Sequence, residues 1–480
     1  MARSVLLLLA LALSLCVLSA YAQYDTGKSR RRLSDAQQCR IQRLSASTPS
    51  RRIRSEGGVT ELWDYNEDQF QCAGVAAMKN TIQPNGLSLP NYSPSPRLVY
   101  IERGRGVLGI TFPGCQESYH SVRGQTREGS RGEQQQQTGE EDQHQKVHRI
   151  VQGQIVALPA GAAHWLYNDG NEDLVAVSVT DVNNGANQLD QRPRSFYLAG
   201  GRPRQAGGAG SEEEFDAENV IRPFDARLMA DALGVSEQTV RRMQENDERG
   251  FIVLAKQEEM RMIRPEEEEE EEERYRRGSS RGDNNEGVSN GLEEAYCNMK
   301  VNQNIDNPRD ADVYSRQAGR INSVNMHKLP ILSYLDMSAE KGNLYENSVY
   351  LPHWEMNSHS IVYVTRGSAR IQVVGSNGKT VLDEEVRRGQ LVVVPQYFAS
   401  IVRASQNGFE WISFKTSALP MKSPLAGARS ALKGMPIPVL VNSYRISNRQ
   451  AQDVKYNRER HPYFVPGSGQ QQQYVATASA

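Results

Sequence analysis

The sequence has few aromatic residues, few cysteines, almost no net charge and only one long hydrophobic run. Aromatic residues make up 7% and hydrophobic residues 38% of the 480 positions, which is low for a compact globule and typical of one with long polar inserts. The 56 Lys and Arg residues nearly cancel the 57 Asp and Glu residues, so no nucleic-acid partner is predicted. After the first twenty residues no apolar run approaches the roughly 18 residues of a membrane span, so no membrane association is predicted.

The one long apolar run lies at the N-terminus. Arg3 precedes an apolar stretch at 5–18, and Ala20-Tyr21-Ala22 follows it. A basic start, a short apolar stretch and a small-x-small ending are typical of a secretory signal peptide. We therefore predict a signal peptide at residues 1–22 and entry into the secretory pathway.

The few cysteines indicate disulfides rather than a metal site. Without the signal peptide four remain, and an oxidising compartment favours two disulfides in one of three connectivities. The chain has no Cys-x-x-Cys pair and no Cys/His cluster, so neither a zinc site nor a redox site is predicted. The four are Cys39, Cys72, Cys115 and Cys297.

The chain contains an internal duplication. The block Leu-Val-Tyr-Ile-Glu-Arg-Gly at 98–104 is echoed by Ile-Val-Tyr-Val-Thr-Arg-Gly at 361–367, and Gly-Gln-Ile-Val-Ala-Leu-Pro at 153–159 is echoed at 389–395. Short Val/Ile/Tyr-rich runs between Gly, Pro and Asn predict strands, and their spacing favours a double-sheet jelly roll in each half. The fold class is therefore mainly β, with two barrels in tandem.

A small helical extension is predicted after each barrel. Apolar residues recur near helical spacing at 224–246, where Ser236 is placed as an N-cap. A second helical segment spans 423–455, where Ser447 and Gln450 fit a capping box. Between the halves, residues 264–290 include eight consecutive glutamates and predict a disordered acidic loop.

The sequence after this acidic loop resembles the processing site of the 11S globulins, the legumin-type seed storage proteins. Asn290-Gly291-Leu292-Glu293-Glu294 is followed by Cys297, and the resemblance extends over nearly the whole mature chain. Of the Asn-Gly pairs, only this one lies beside an acidic segment and just before a cysteine; the others are typical of turns. All five pairs begin at Asn85, Asn184, Asn290, Asn377 and Asn407.

The resemblance implies how the chain is processed and joined. An asparaginyl endopeptidase would cut after Asn290, before Gly291, to give an acidic chain, 23–290, and a basic chain, 291–480. The net charges agree, at −8 for 23–290 and +6 for 291–480. In the family the two chains stay linked by one disulfide. Carried over, the pairs are Cys39 with Cys72 and Cys115 with Cys297.

The duplicated blocks also resemble cupins, with domains at about 40–250 and about 303–455. A cupin metal site takes two His and a Glu from a first motif and one His from a second. In the first half, His164 stands in an intact second motif, but the first-motif positions are Asn91, Ser93 and Arg97. A guanidinium in place of a carboxylate repels a cation. His164 is therefore interpreted as a packed core residue.

The second half departs from the cupin pattern in a different way. His353 and Glu355 occupy the first two ligand positions, but Ser360 occupies the carboxylate position. Its second motif has Tyr397, Ser400 and Ala404 where Gly, His and Asn are expected. We therefore predict no catalytic residues, no metal and no cofactor, and treat His164, His353 and Glu355 as vestigial positions. Fold alone implies no activity.

Three alternatives to storage are kept. One is a metal-dependent bicupin enzyme similar to oxalate decarboxylase, and another is a weak metal site formed by His353, Glu355 and His359. A third is a sugar-binding cupin, although no distinctive aromatic cluster supports it. The only glycosylation sequon begins at Asn91 and is followed by Pro94, so it is discounted.

The function implied is that of a seed storage protein, a nutrient reservoir rather than an enzyme. The family resemblance implies a homotrimer and then a homohexamer, and a route from the endoplasmic reticulum to the protein storage vacuole. The C-terminal residues 474–480 could help vacuolar sorting, with a frayed tail as the default.

Overall fold

A computed structural model describes residues 39, 41–115, 119–121, 142–201, 219–245, 248–258, 260, 297 and 299–467, without the side chains of 119–121 and 142–143. Several sequence predictions lie outside these residues: the signal peptide 1–22, the acidic loop 264–290, the Asn290-Gly291 bond and the tail 474–480. None of the helices in the described ranges is long and apolar enough to cross a membrane.

The first half is a sandwich of two antiparallel sheets. One sheet has the order β1-β2-β3-β12-β5-β10-β15, and the other has the order β13-β4-β11-β6-β9 with β14 added beside β4. Within the described residues of the first half there are fourteen strands: β1 Arg51–Ser55, β2 Gly58–Leu62, β3 Val75–Ile82, β4 Gly86–Tyr92, β5 Arg97–Arg103, β6 Arg105–Thr111, β7 Tyr119–Ser121, β8 Asp142–His144, β9 Val147–Val151, β10 Gln154–Leu158, β11 Ala163–Tyr167, β12 Leu174–Asp181, β13 Phe196–Tyr197 and β14 Ile252–Leu254.

The second half forms the other barrel from longer strands. β20 and β23 have 15 and 17 residues, and they pair with each other through two register shifts that bend them from one face of the barrel to the other. The strands of this half are β15 Asn302–Asn304, β16 Val313–Ser315, β17 Gly319–Val324, β18 Ser338–Leu344, β19 Val349–Glu355, β20 Ser360–Val374, β21 Thr380–Arg387, β22 Leu391–Val394, β23 Ala399–Lys415, β24 Lys422–Pro424 and β25 Phe464–Val465.

The duplicated blocks occupy matching places in the two barrels. Gly104 and Gly367 end the first block, and both adopt positive φ angles, of 83° and 70°. A side chain is excluded at either glycine, because a Cβ would lie 2.7 Å from the Asp173 carbonyl oxygen or 2.1 Å from that of Gly408. Gly104 separates β5 from β6, whereas the chain continues through Gly367 as β20.

Helices are short and mostly lie in the two extensions. The Ser236 hydroxyl accepts from Thr239 N, as predicted, and Ser447 with Gln450 forms the predicted capping box. The helices that lie wholly in the described ranges are α1 Asp68–Ala73, α2 Ala226–Leu233, α3 Glu237–Met243, α4 Leu332–Leu335, α5 Ala431–Gly434, α6 Ile437–Tyr444 and α7 Asn448–Tyr456, with a 3-10 turn at Pro308–Asp310.

One segment of each half packs on the barrel formed by the other half. From the second half, β15 pairs with β10 and completes the first barrel's larger sheet. From the first half, residues 41–47 lie on the second barrel, where Leu44 N donates to Val381 O and Ser47 bridges to Leu391. The largest hydrophobic core contains residues of both halves, including Phe70 and Phe414, so the barrels pack directly against each other.

Both disulfides connect as the family resemblance implies. Cys39 is joined to Cys72, and Cys115 is joined to Cys297 across 182 residues of sequence. The first disulfide fastens the start of the exchanged N-terminal segment near α1, and the second links the two halves.

Candidate functional site

The first barrel holds an arginine where a cupin would place its carboxylate ligand. Arg97, at the start of β5, is buried, and its guanidinium donates to Thr180 Oγ1 at 3.1 Å and to Ser195 Oγ at 3.2 Å. Burial lowers the pKa of Arg97 below its ordinary value. The group is therefore a buried cation that is hydrogen-bonded to hydroxyl groups, and it repels a second cation placed beside it.

His164 lies next to this guanidinium and stays neutral. It sits on β11 opposite Asn91 of β4, and its Nδ1–H donates to the Ala162 carbonyl at 3.2 Å. Burial, and then the charge of Arg97, lower the pKa of His164 to about 4. His164 is buried, which is consistent with its interpretation as a packed core residue. Asn91 is also buried and donates to Leu89 O, so its sequon is inaccessible in the folded barrel.

The second barrel keeps an acid at one ligand position and neutralises it with a lysine. The Lys415 ammonium, from the end of β23, donates to Glu355 Oε1 at 2.5 Å and to Ser360 Oγ at 2.9 Å. All three residues are buried. Glu355 and Ser360 stand at two of the cupin metal-ligand positions in the sequence, and the protein's own ammonium group binds both of them.

A second buried ion pair lies close to the first. Lys422 pairs with Glu340 and also donates to the Tyr350 hydroxyl at 2.6 Å. Burial by itself would raise the pKa of Glu340, but the charges of Lys422 and Lys415 outweigh it, and the net pKa is lowered. The Glu340 carboxylate therefore remains charged, and Glu340 and Glu355 are each paired with a lysine.

His353 is the third vestigial position, and it is also neutral. Its Nδ1–H donates to Leu351 O at 2.9 Å, and its ring stacks on Tyr350 with centroids 4.2 Å apart. Burial, and then the charge of Lys422, lower the pKa of His353 to about 4. His359, the remaining member of the weak metal site, accepts from Gln396 N through Nδ1. Among the described residues, no group of three or more His, Cys, Asp or Glu side chains is arranged to hold a metal.

The second barrel also encloses a small cavity. The volume of the cavity open to a water molecule is about 40 Å³. His353, Glu355 and Lys415 line part of its wall. Glu355 Oε2 is buried and has no hydrogen-bond partner among the described residues. A space of this size accommodates about two water molecules. It is too small for the sugar or organic acid that a binding or catalytic cupin would need.

The sequence did not reveal the two lysines that pair with Glu355 and Glu340. Lys415 and Lys422 do not belong to either cupin motif, and Glu340 lies in a different strand from its partner. One signal was available. Lys415 follows the mostly apolar run Trp411-Ile412-Ser413-Phe414 at the end of β23, and a charge at the end of such a run is expected to have a buried partner.

Comparison with known proteins agrees with this geometry. A cupin family model matches residues 44–204 and 303–452. An 11S globulin seed storage protein from Sesamum indicum is 53% identical over 465 residues, which cover 96% of this chain and 98% of that protein. The chain belongs to the 11S globulin family. Solved structures of its relatives extend the match.

The coconut allergen cocosin is 41% identical, with a TM-score of 0.76 over 89% of this chain and 100% of that one. Recombinant pro-11S globulin of pumpkin is 39% identical, with a TM-score of 0.74 over the same shares. The relatives are named as seed storage proteins and not as enzymes. Storage in seeds is therefore the function of this 11S globulin, and its two barrels serve as a scaffold.

Proposed function

We propose that this 11S globulin is accumulated as two disulfide-linked chains after cleavage between Asn290 and Gly291 by an asparaginyl endopeptidase. The observation that carries the proposal is the Cys115–Cys297 disulfide, because it links one side of the proposed cut to the other. The charge distribution supports it, since the cut divides a chain of net −8 from one of net +6.

Noncovalent contacts would also hold the cut protein together. The basic chain supplies β15 to the first barrel, and the acidic chain supplies residues 41–47 to the second. At the junction Lys341 Nζ donates to Tyr100 OH at 2.6 Å, and Tyr100 donates to Asp306. Cleavage would therefore remove a covalent connection and leave both barrels complete.

Gel electrophoresis with and without reductant tests the two-chain form. We expect seed-purified protein to run as one band without reductant, and as one acidic and one basic band with it. The variant Asn290→Ala should stay a single band under both conditions when incubated with the endopeptidase. A double variant of Cys39 and Cys72 is the matched control, and it should still need reductant to separate the chains. Separation without reductant, or one band with it, contradicts the proposal.

The helical extensions support assembly into a homotrimer and then a homohexamer. Each extension exposes apolar side chains in the single chain, such as Leu228 at 66% and Tyr444 at 58%. Exposed apolar surface of this kind is typical of an interface between protein chains. If the first extension of one copy packs on the second extension of the next, the contact is head-to-tail, and a ring can close at three copies.

Charge insertion on one extension tests this assembly. Leu228→Asp together with Leu233→Asp places charges on the exposed apolar face of α2 and should shift the protein from trimer toward monomer in analytical ultracentrifugation. Leu189→Asp is the control, because Leu189 is equally exposed but lies outside the extensions. Unchanged trimer in the double variant would contradict this interface.

The proposed route begins with the signal peptide 1–22 and leads through the endoplasmic reticulum to the protein storage vacuole. We infer that the uncut acidic loop, with its eight glutamates, covers or repels one face of the trimer, so that cutting it permits hexamer formation. An Asn290→Ala precursor that forms hexamers at the normal rate would contradict this step.

A further inference from the structure

Asn-Gly pairs are the sites at which a protein chain most readily loses an amide. The backbone nitrogen of the glycine attacks Cγ of the asparagine, ammonia leaves, and a five-membered succinimide forms. Water then opens the ring to aspartate or isoaspartate. The reaction needs a reachable Cγ, a glycine that can turn, and an amide group free to depart. Four of the five pairs lie in the described residues and differ sharply in these respects.

Two of these pairs are held in place on every side. The side chain of Asn184 is buried, and its Nδ2 donates to Leu335 O and Asp181 Oδ2. Asn85 is held through its backbone, because its N donates to Asn168 O, and the attacking Gly86 N donates to Gln83 O at the buried start of β4. At Asn184 the hydrogen bonds of the departing amide group have to break first, and at Asn85 buried backbone bonds have to open.

Asn407 is exposed, but its backbone is confined. It lies in β23 beside Gly408, whose carbonyl is in close contact with Gly367. Isoaspartate adds an atom to the main chain, and here that atom would push two packed strands apart. The fold therefore opposes product formation at Asn407 even though the side chain faces solvent.

Asn377 meets all three requirements. It lies at the exposed tip of the hairpin between β20 and β21, and Gly378 has φ +72° with nothing within 4 Å of the position of a Cβ. Lys379 N donates to Asn377 Oδ1 at 2.9 Å, which polarises the attacked carbonyl as Ala186 N does at Asn184, so the two pairs differ in exposure rather than in this bond. One exposed bond, from Gly378 N to Gly375 O, has to open.

We propose that Asn377 is a site of spontaneous deamidation and isoaspartate formation in the folded, stored protein. The product adds one negative charge at the exposed tip of a hairpin, outside the packed core of the barrel. Isoaspartate at this position can therefore accumulate without unfolding the barrel. The isoaspartyl carboxylate is a substrate for an enzyme class that methylates such groups. The stored protein thus acquires a chemical mark of its age at one defined position.

Peptide mass spectrometry of the intact assembly tests this proposal. After incubation in mildly alkaline buffer, the peptide containing Asn377 should gain about 1 Da from exchange of the amide NH₂ for OH. It should convert at least about tenfold faster than the peptide containing Asn184, since two buried hydrogen bonds of about 1 kcal/mol each protect the latter. In urea-unfolded protein this difference should disappear.

The other Asn-Gly pairs serve as matched controls within the same molecule. Asn377→Ser should remove most of the isoaspartate that a methyltransferase detects in aged folded protein, without changing the urea midpoint. Equal rates at Asn377, Asn85 and Asn184 in the folded protein would overturn the proposal, as would faster conversion at Asn407.

Discussion

The two barrels have lost the same metal site in different ways. The first has an arginine at the carboxylate position, and its buried cation is hydrogen-bonded to hydroxyl groups of Thr180 and Ser195. The second has Ser360 at the carboxylate position and Glu355 at a histidine position, and it balances Glu355 with Lys415. In both, a cationic side chain of the protein stands at, or is bound to, the cupin metal-ligand positions. The difference is that the second barrel depends on an ion pair and the first does not.

Breaking that ion pair should have the largest effect on stability. Lys415→Met leaves Glu355 buried and unpaired, and we expect the free energy of unfolding to fall by about 3–5 kcal/mol. Adding Glu355→Leu should recover most of this loss, because it removes the uncompensated charge. The measurement is the urea midpoint. As a control, Arg387→Met removes a pair whose arginine side chain is 71% exposed, and it should change stability by about 0.5 kcal/mol at most. A small effect of Lys415→Met would contradict this picture.

Acid should weaken both barrels through their histidines. The pKa values of His164 and His353 are lowered to about 4, below the ordinary value of about 6.5. As pH falls through this window, the unfolded chain binds a proton that the folded histidine does not, so the free energy of unfolding falls. The loss approaches about 3 kcal/mol for each histidine.

Replacing either histidine should flatten this pH dependence. His164→Asn or His353→Asn keeps a donor near Nδ1 and removes the titrating group, so the urea midpoint should vary less between pH 6.5 and 4. The exposed His327 is the matched control, and His327→Asn should leave the slope unchanged. If neither buried variant alters the slope, the histidines do not carry the acid sensitivity.

Replacing Arg97 should destabilise the protein less than replacing Lys415. The two losses of stability show whether both barrels depend on their buried cation. Arg97→Met leaves two hydroxyls without a donor but no unpaired carboxylate, so we expect a loss of no more than about 2 kcal/mol. A loss as large as that of Lys415→Met would mean that the first barrel also depends on its cation.

The sequence was sufficient for whatever depends on local pattern. The duplicated blocks predicted the matching strands, and Ser236 and Ser447 predicted the caps. The sequence did not predict the contacts between strands that are far apart in the chain, because these depend on how the strands are aligned. The Lys415–Glu355 and Lys422–Glu340 pairs, and the exchange of 41–47 for β15, join segments far apart in the chain. No periodicity within one segment encodes such partners.

Elemental analysis of the purified, folded protein tests the central claim most directly. If Arg97 and Lys415 replace the cupin metal, manganese, iron, copper and zinc should each be well below one atom per chain, and a chelator should leave the urea midpoint unchanged. About one tightly bound transition metal per barrel, lost together with stability on chelation, would contradict the account.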